Sequence, residues 1–283
     1  MSQGSDARGL NIAVGGDMTV NRLGFGAMRI TGSGIIGDPP DRQEAMAVLR
    51  RAVELGVNFI DTADSYGPEV SERLIAEALS PYPDDLVVAT KGGLLRPGRN
   101  QWTPDGRPEH LREACEGSLQ RLKVDQIALY QFHRPDPQVP IEDSVGEILR
   151  MKEEGKIRHI GVCNVTEQEL RRAQSVTTIV SVQNRYNVAD RTSEPMVELC
   201  AKEGLAFLPW APIIDSDRHS AVEDVATAHG VSARQVVIAW LLARSPAVLP
   251  IPGTGSVAHL EENMAAAELT LDPGEIELLT KPV

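Results

Sequence analysis

A series of short apolar runs, each ending in a polar side chain able to do chemistry, constrains this chain most. Asn58-Phe59-Ile60 runs into Asp61, Leu86-Val87-Val88-Ala89-Thr90 into Lys91, and Ile127-Ala128-Leu129-Tyr130-Gln131-Phe132 into His133. His159-Ile160-Gly161-Val162 runs into Cys163-Asn164, and Ile179-Val180-Ser181-Val182 into Gln183-Asn184. Read as parallel strands, these runs bring their polar ends to one rim, the C-terminal face of the sheet. Parallel α/β proteins keep their active sites there. The pattern predicts one site assembled from many strand ends.

Helical periodicity fills the gaps. Asp41 caps a helix running to Leu55, with apolar Ala45, Val48, Leu49, Ala52 and Val53. Further helices are predicted over 70–79, 108–122, 141–154, 166–173, 193–203, 221–229, 232–244 and 257–267. The fourth of these opens on a capping-box pattern, Thr166-Glu167-Gln168-Glu169. Strands are predicted over 22–26, 59–61, 86–91, 127–133, 159–163, 179–183, 206–210 and 248–252. Eight strands alternating with helices predict an α/β chain of the (β/α)8 TIM-barrel type. Such a barrel takes about 250 residues, so one domain fills 1–283. An N-terminal β-hairpin, 10–14 with 18–20 around Gly15-Gly16-Asp17, is expected to close the barrel floor. The long loops are 32–40, 92–106 and 214–220. An open doubly wound sheet would place G-x-G-x-x-G after an early strand. The nearest match, Gly24-Phe25-Gly26-Ala27-Met28-Arg29, lacks the third glycine and opens no helix.

Charge and composition exclude several classes. The net charge of −12 argues against nucleic acid or an anionic membrane as the main partner. No apolar stretch approaches a membrane span, and the polar start, Met1-Ser2-Gln3-Gly4-Ser5-Asp6, carries no secretory signal. A cytoplasmic protein is expected. Cys115, Cys163 and Cys200 have no metal-ligand spacing, nor has any pair of histidines, so no metal is expected. Cys115 and Cys200 fall in helical patterns and read as core.

Lys91 is one of six lysines and ends an apolar strand. A partly desolvated ammonium needs a partner, and Asp61 is the natural one. Alone, the pair reads equally well as a structural ion pair. Tyr66, five residues after Asp61, puts a phenol over the same rim. A neighbouring ammonium is expected to lower its pKa below the usual ~10 and tune it to protonate a developing alkoxide. His133 faces the rim as a neutral donor for a carbonyl oxygen. The glycine turn Pro252-Gly253-Thr254-Gly255-Ser256 precedes a helix, an arrangement that favours phosphate. Arg218, His259, Glu262 and Asn263 are candidates to complete a nucleotide site.

This set resembles the aldo-keto reductase superfamily from about Leu10 to Leu271. The resemblance is carried by Asp61-Thr62-Ala63-Asp64-Ser65-Tyr66-Gly67, Thr90-Lys91, His133-Arg134-Pro135-Asp136, Gly161-Val162-Cys163-Asn164, Gln183-Asn184-Arg185-Tyr186-Asn187 and Ile251-Pro252-Gly253-Thr254 with His259-Leu260-Glu261-Glu262-Asn263. It implies a metal-free enzyme that binds NADP(H), with NADH use in reach, and reduces a small-molecule carbonyl compound. Tyr66 is then the general acid, assisted by Lys91, which Asp61 holds, while His133 polarises the carbonyl. Cys163, Asn164 and Gln183 would hold the nicotinamide carboxamide, and Trp210 would stack on its ring. Ala27 and Met28 would border the cofactor, and Ala211, Pro212 and Ile213 would approach the pyrophosphate. Gly253, Thr254, Gly255, Ser256 and His259 would approach the adenosine 2′-phosphate, with Asn263 at the adenine and Arg218 and Glu262 as further cofactor-binding candidates. Met28, Trp102 and Arg134 are expected in the substrate pocket.

Two departures from the family pattern stand out. Cys163 replaces a serine and donates hydrogen bonds weakly, which predicts looser nicotinamide positioning and sensitivity to thiol oxidation. His259 replaces a common arginine and Gly253 a lysine, which predicts soft discrimination between NADPH and NADH. The flanking segments look closest to a bacterial branch that includes pyridoxal reductases, making pyridoxal or a keto-sugar the expected substrate. The competing function is a nicotinamide-binding regulatory subunit resembling the channel-associated members. A third reading, a barrel lyase or isomerase, would use Lys91 for a Schiff base. The sequence leaves oligomeric state open and is compatible with a monomer.

Overall fold

The computed structural model describes residues 10–99, 101–213 and 219–281. The chain opens with an antiparallel pair, β1 (Asn11–Val14) and β2 (Met18–Asn21). Parallel strands follow: β3 (Phe25–Gly26), β4 (Phe59–Asp61) and β5 (Val87–Gly92). A separate antiparallel hairpin, β6 (Leu94–Gly98) and β7 (Gln101–Pro104), interrupts them. The parallel series resumes with β8 (Ile127–Phe132), β9 (Ile157–Cys163), β10 (Ser181–Gln183) and β11 (Ala206–Phe207). The seven parallel strands make one sheet in the order β11-β10-β9-β8-β5-β4-β3, so sheet order follows chain order.

Helices fill the crossovers: α1 (Arg42–Glu54), α2 (Val70–Leu79), α3 (Pro108–Leu122), α4 (Ile141–Glu153), α5 (Glu167–Val176), α6 (Glu194–Glu203), α7 (Ser220–His229) and α8 (Ala233–Arg244). α9 (Val257–Ala265) and α10 (Pro273–Thr280) complete the chain. Their starts follow local chemistry. Asp41 accepts from the Glu44 N–H, and reciprocal caps join Thr166 to Glu169 and Ser232 to Gln235. The buried face of α1, including Ala45, Val48 and Leu49, packs with Phe25 and Ile60.

The predicted eighth strand, 248–252, is not a regular strand. Its parallel pairing is one bridge between Phe207 and Val248. Pro250 and Pro252 have no N–H to give a ladder, but their carbonyls accept from Gly24 and Gly26 on one side. On the other side Leu249 N donates to Phe207 O. Both edges of the sheet therefore bond to the same segment. Gly26 and Gly253 meet backbone to backbone at this seam, and a Cβ on either would press into the other strand's carbonyls. The glycine at 253 thus has a packing cause beside the phosphate-loop reading.

Other boundaries moved. The expected loop over 92–106 contains β6 and β7, the strand over 206–210 shortens to β11, and that over 22–26 shortens to β3. The final helix stops at Ala265 and passes into a 3-10 turn over Ala266–Glu268. α10 was not predicted, although its Asp272 and Glu275 capping box is visible in the sequence. The hairpin's buried Val14, Met18 and Val20 share a cluster with Phe59, Ala89, Leu129, Leu208 and Leu249 from the sheet. Among the described residues no single helix is long and apolar enough to cross a membrane, and none form a metal-binding cluster.

Candidate active site

Strand ends place the chemistry. Asp61 closes β4, Lys91 lies one residue before the end of β5, and His133 follows β8 directly. In register Lys91 faces Gln131, and Gly26 faces Asp61. Tyr66 sits in the loop that leaves β4. The next residue, Gly67, takes a φ of 100° in a turn that a side chain would obstruct by meeting Val70.

Lys91 is fully buried. Its Nζ donates to Asp61 Oδ2 at 2.6 Å, to the Thr62 carbonyl at 2.8 Å and to Tyr66 Oη at 3.3 Å. An ammonium has three donors, so none is wasted. Burial alone would lower the Lys91 pKa. The charge of Asp61, with Tyr66 and the Asp61 hydrogen bond, outweighs it and holds the ammonium protonated. Asp61 Oδ1 accepts from Gln131 at 3.0 Å and Gln183 at 2.9 Å, so both carboxylate oxygens are engaged.

Tyr66 corrects one expectation. Its phenol is pushed up to about 12, because burial outweighs the pull of Lys91. No protein acceptor takes its O–H among the described residues, and Lys91 occupies a lone pair, which leaves the proton free for the cavity. The His133 ring packs edge-on to Tyr66 with centroids 5.9 Å apart, and its Nδ1 lies 3.5 Å from Ser65 Oγ. Burial, then the charges of Lys91 and Arg134, hold the imidazole pKa well below its usual value, so His133 is neutral as expected.

Above this cluster opens a cavity of about 500 Å³. Of the predicted residues it gathers Met28, Asp61, Tyr66, Trp102, His133, Arg134, Asn164, Gln183, Trp210, Ala211, Pro212, Ile213 and Gly253. Asn164, held at a φ of 57°, gives one N–H to the His133 carbonyl and accepts from Trp210 Nε1, each at 2.9 Å. One donor and one lone pair remain on that amide. Gln183 directs its NH2 at Asp61 and at Gln131, leaving its carbonyl oxygen for a ligand.

Thr254, Gly255, Ser256, His259, Glu262 and Asn263 lie outside the cavity wall, on the following loop and α9. Asn263 is fully buried, and neither atom of its amide has a protein partner. That orphaned amide fits a heterocyclic ligand. His259 is exposed, and Ala27 is packed in the core. Arg218 lies outside the described residues. Cys163 corrects a second expectation: it is buried, its thiol is pushed up by that burial, and its Sγ donates weakly to Gln131 Oε1 at 3.8 Å. A thiol in that state is inert rather than oxidation-prone.

Sequence reasoning missed four residues. Gln131 looked like strand filler, yet it links Asp61, Gln183 and Cys163. Glu44 of α1 accepts from the Val257 N–H at 3.0 Å, so a carboxylate already occupies part of the α9 N-terminus. Arg29 and Arg234 line the cavity. Arg234 had a signal: a cation in the first turn of a helix opposes the macrodipole and suggests another duty.

The family model described as "Aldo/keto reductase family" matches residues 22–282. An uncharacterised oxidoreductase of Schizosaccharomyces pombe is 49% identical over 259 residues, 90% of this chain and 84% of that protein. Pyridoxine 4-dehydrogenase of Escherichia coli is 43% identical over 265 residues, 90% of this chain and 92% of that protein. Among solved structures, a thermostable aldo-keto reductase in complex with epalrestat has a TM-score of 0.83 at 32% identity, covering 96% of this chain and 98% of that one. An aldo/keto reductase from Klebsiella pneumoniae in complex with NADP and acetate has a TM-score of 0.80 at 26% identity, covering 95% and 94%. Likeness to such structures implies the (β/α)8 barrel, of which the curled seven-stranded sheet is the regular part.

Proposed function

This chain belongs to the aldo/keto reductase family and is an NAD(P)H-dependent oxidoreductase, and on that premise we propose that it reduces an aldehyde or ketone to an alcohol with Tyr66 as general acid. The observation that carries the reading is the buried Lys91, whose three N–H groups are all spent on Asp61, Thr62 and Tyr66. We read residues 10–281 as one barrel domain, with the N-terminal hairpin over its floor.

NADP(H), when held by these residues, would supply hydride for the carbonyl carbon. Neutral His133 donates an N–H to the carbonyl oxygen and polarises it without carrying charge. Tyr66, with its pKa raised to about 12, holds its proton at working pH. An alkoxide is a far stronger base than a phenolate, so the proton moves downhill. As it leaves, charge grows on Oη beside the Lys91 ammonium, which stabilises it. Asp61 keeps that ammonium charged and aimed. Because Lys91 is protonated and fully engaged, it is poorly placed to form a Schiff base, which counts against a lyase.

The cofactor reading is supported by the K. pneumoniae structures in complex with NADP and with NADPH. Gln183 and Asn164 offer the groups to hold a carboxamide, Trp210 a ring face, Asn263 an unpaired amide, and Arg29 and Arg234 positive charge. Glu44 puts a carboxylate where a 2′-phosphate would approach α9, which argues for usable NADH beside NADPH. The name of the E. coli relative supports pyridoxal as a substrate, with keto-sugars the alternative.

The test is oxidation of NADPH and NADH by a panel of aldehydes and ketones that includes pyridoxal. Turnover of several carbonyls, pyridoxal among the better, is expected. Tight NADPH binding with no turnover of any of them would overturn the reading in favour of a nicotinamide-binding regulatory subunit.

A further inference from the structure

We propose that Arg134 is an anion-recognising residue, and that among the carbonyl compounds this site turns over those bearing a carboxylate or a phosphate monoester are preferred to their neutral analogues, such as pyridoxal. The inference rests on the reductase reading for its carbonyl and on the cavity for its anion. The chain carries a net charge of −12, yet the cavity wall holds three guanidiniums, Arg29, Arg134 and Arg234, and its one carboxylate, Asp61, is spent on Lys91. Many arginines elsewhere find carboxylates, as Arg112 does with Glu147 and Glu154, and Arg172 with Glu142. Among the described residues, none of the three cavity arginines has such a partner.

Their positions divide them. The Arg29 carbonyl and side chain lie against Gly255 and Gly253, on the side read as the cofactor's. Arg234 opens α8. Arg134 follows His133 directly and lines the cavity beside it and Tyr66, which puts it at the carbonyl end. Its Nε is buried with no protein acceptor. A guanidinium donor held out of water without an acceptor is costly. Its fork matches a carboxylate or phosphate in a bidentate, charge-assisted pair, and such a ligand would remove the cost.

Steady-state kinetics would compare 4-carboxybenzaldehyde with 4-methylbenzaldehyde, and pyridoxal 5′-phosphate with pyridoxal, in wild type, R134Q and R134K. In wild type the charged member of at least one pair is expected to have a kcat/KM higher by about tenfold or more. R134Q should lose that advantage through KM rather than kcat, and R134K should keep part of it. An advantage in the first pair alone assigns a carboxylate, and in the second alone a phosphate. Calorimetric binding of the four compounds should give the same ranking without turnover. Equal kcat/KM within both pairs, or a preference that survives R134Q, would overturn the anion site while leaving the reductase reading intact. An R134Q defect confined to NADPH binding would also overturn it, by moving Arg134 to the cofactor. No turnover of any compound, with calorimetry still favouring the anions, would sink the reductase reading and keep the anion site.

Discussion

The floor of the cavity and its wall are built on opposite terms. At the floor the charged pair is answered by protein: Lys91 uses three donors, and Asp61 accepts from Lys91, Gln131 and Gln183. On the wall and just beyond it, groups stand open. Arg134 has a buried Nε without an acceptor and Asn263 an amide without a partner, and Gln183 spends only its NH2 on the network. The floor is preorganised by the fold, as electrostatic catalysis requires. The wall is left for ligands to complete.

The sharpest way to break this contrast is at the floor. Lys91→Met leaves Asp61 buried and uncompensated, and should cost about 3–5 kcal/mol of stability together with most of the activity. Urea denaturation reads the first and carbonyl turnover the second. Adding Asp61→Asn should return part of the stability and none of the activity. A single mutant as stable as wild type would mean that the floor is not a coupled network.

A smaller effect comes from Asp64, in the same loop as Tyr66. Burial, reinforced by the charge of Glu72 and opposed by Arg121, raises its carboxyl pKa to about 8. The fold therefore keeps a proton that the unfolded chain has lost. This stabilises the protein fully below the ordinary carboxylate pKa, and the benefit disappears as pH rises through about 8. Asp64→Asn cannot ionise, so its stability relative to wild type should grow by about 1 kcal/mol or more between pH 5 and pH 9. A difference independent of pH would place Asp64 among ordinary solvated carboxylates.

The smallest effect expected is at the rim. Glu44→Gln keeps an acceptor for Val257 N but removes a charge from the α9 N-terminus. Affinity for NADPH should rise a few-fold relative to NADH, as expected of a charge at a helix end. Equal gains for both cofactors would remove Glu44 from phosphate discrimination.

The same division explains what the sequence made legible. Asp61, Lys91 and His133 were readable because each interrupts an apolar strand at its end, where the direction of a parallel strand fixes the face. Tyr66 followed from its distance along one loop. What escaped depends on three-dimensional surroundings. Tyr66 was read from the ammonium beside it and Cys163 from its residue type, but burial controls both pKa values. Glu44 meets α9 across 213 residues of chain, which no local pattern reports. The β6 and β7 hairpin is held by contacts to another loop. Arg96 donates to the Gly34 carbonyl and stacks 3.8 Å over Trp102, and Arg99 reaches Ser33. The seam at 248–252 read as a strand by apolar content, while its prolines, which have no N–H to donate, kept it from a regular ladder.

The most direct test of the account is Tyr66→Phe, assayed for carbonyl reduction alongside NADPH binding by fluorescence. Loss of at least ~100-fold in kcat, the scale of general-acid catalysis, with NADPH affinity within about twofold, a shift of only about 0.4 kcal/mol, is the predicted result. Turnover equal to wild type would contradict the assignment of the proton donor and, with it, the role given to the Lys91 network.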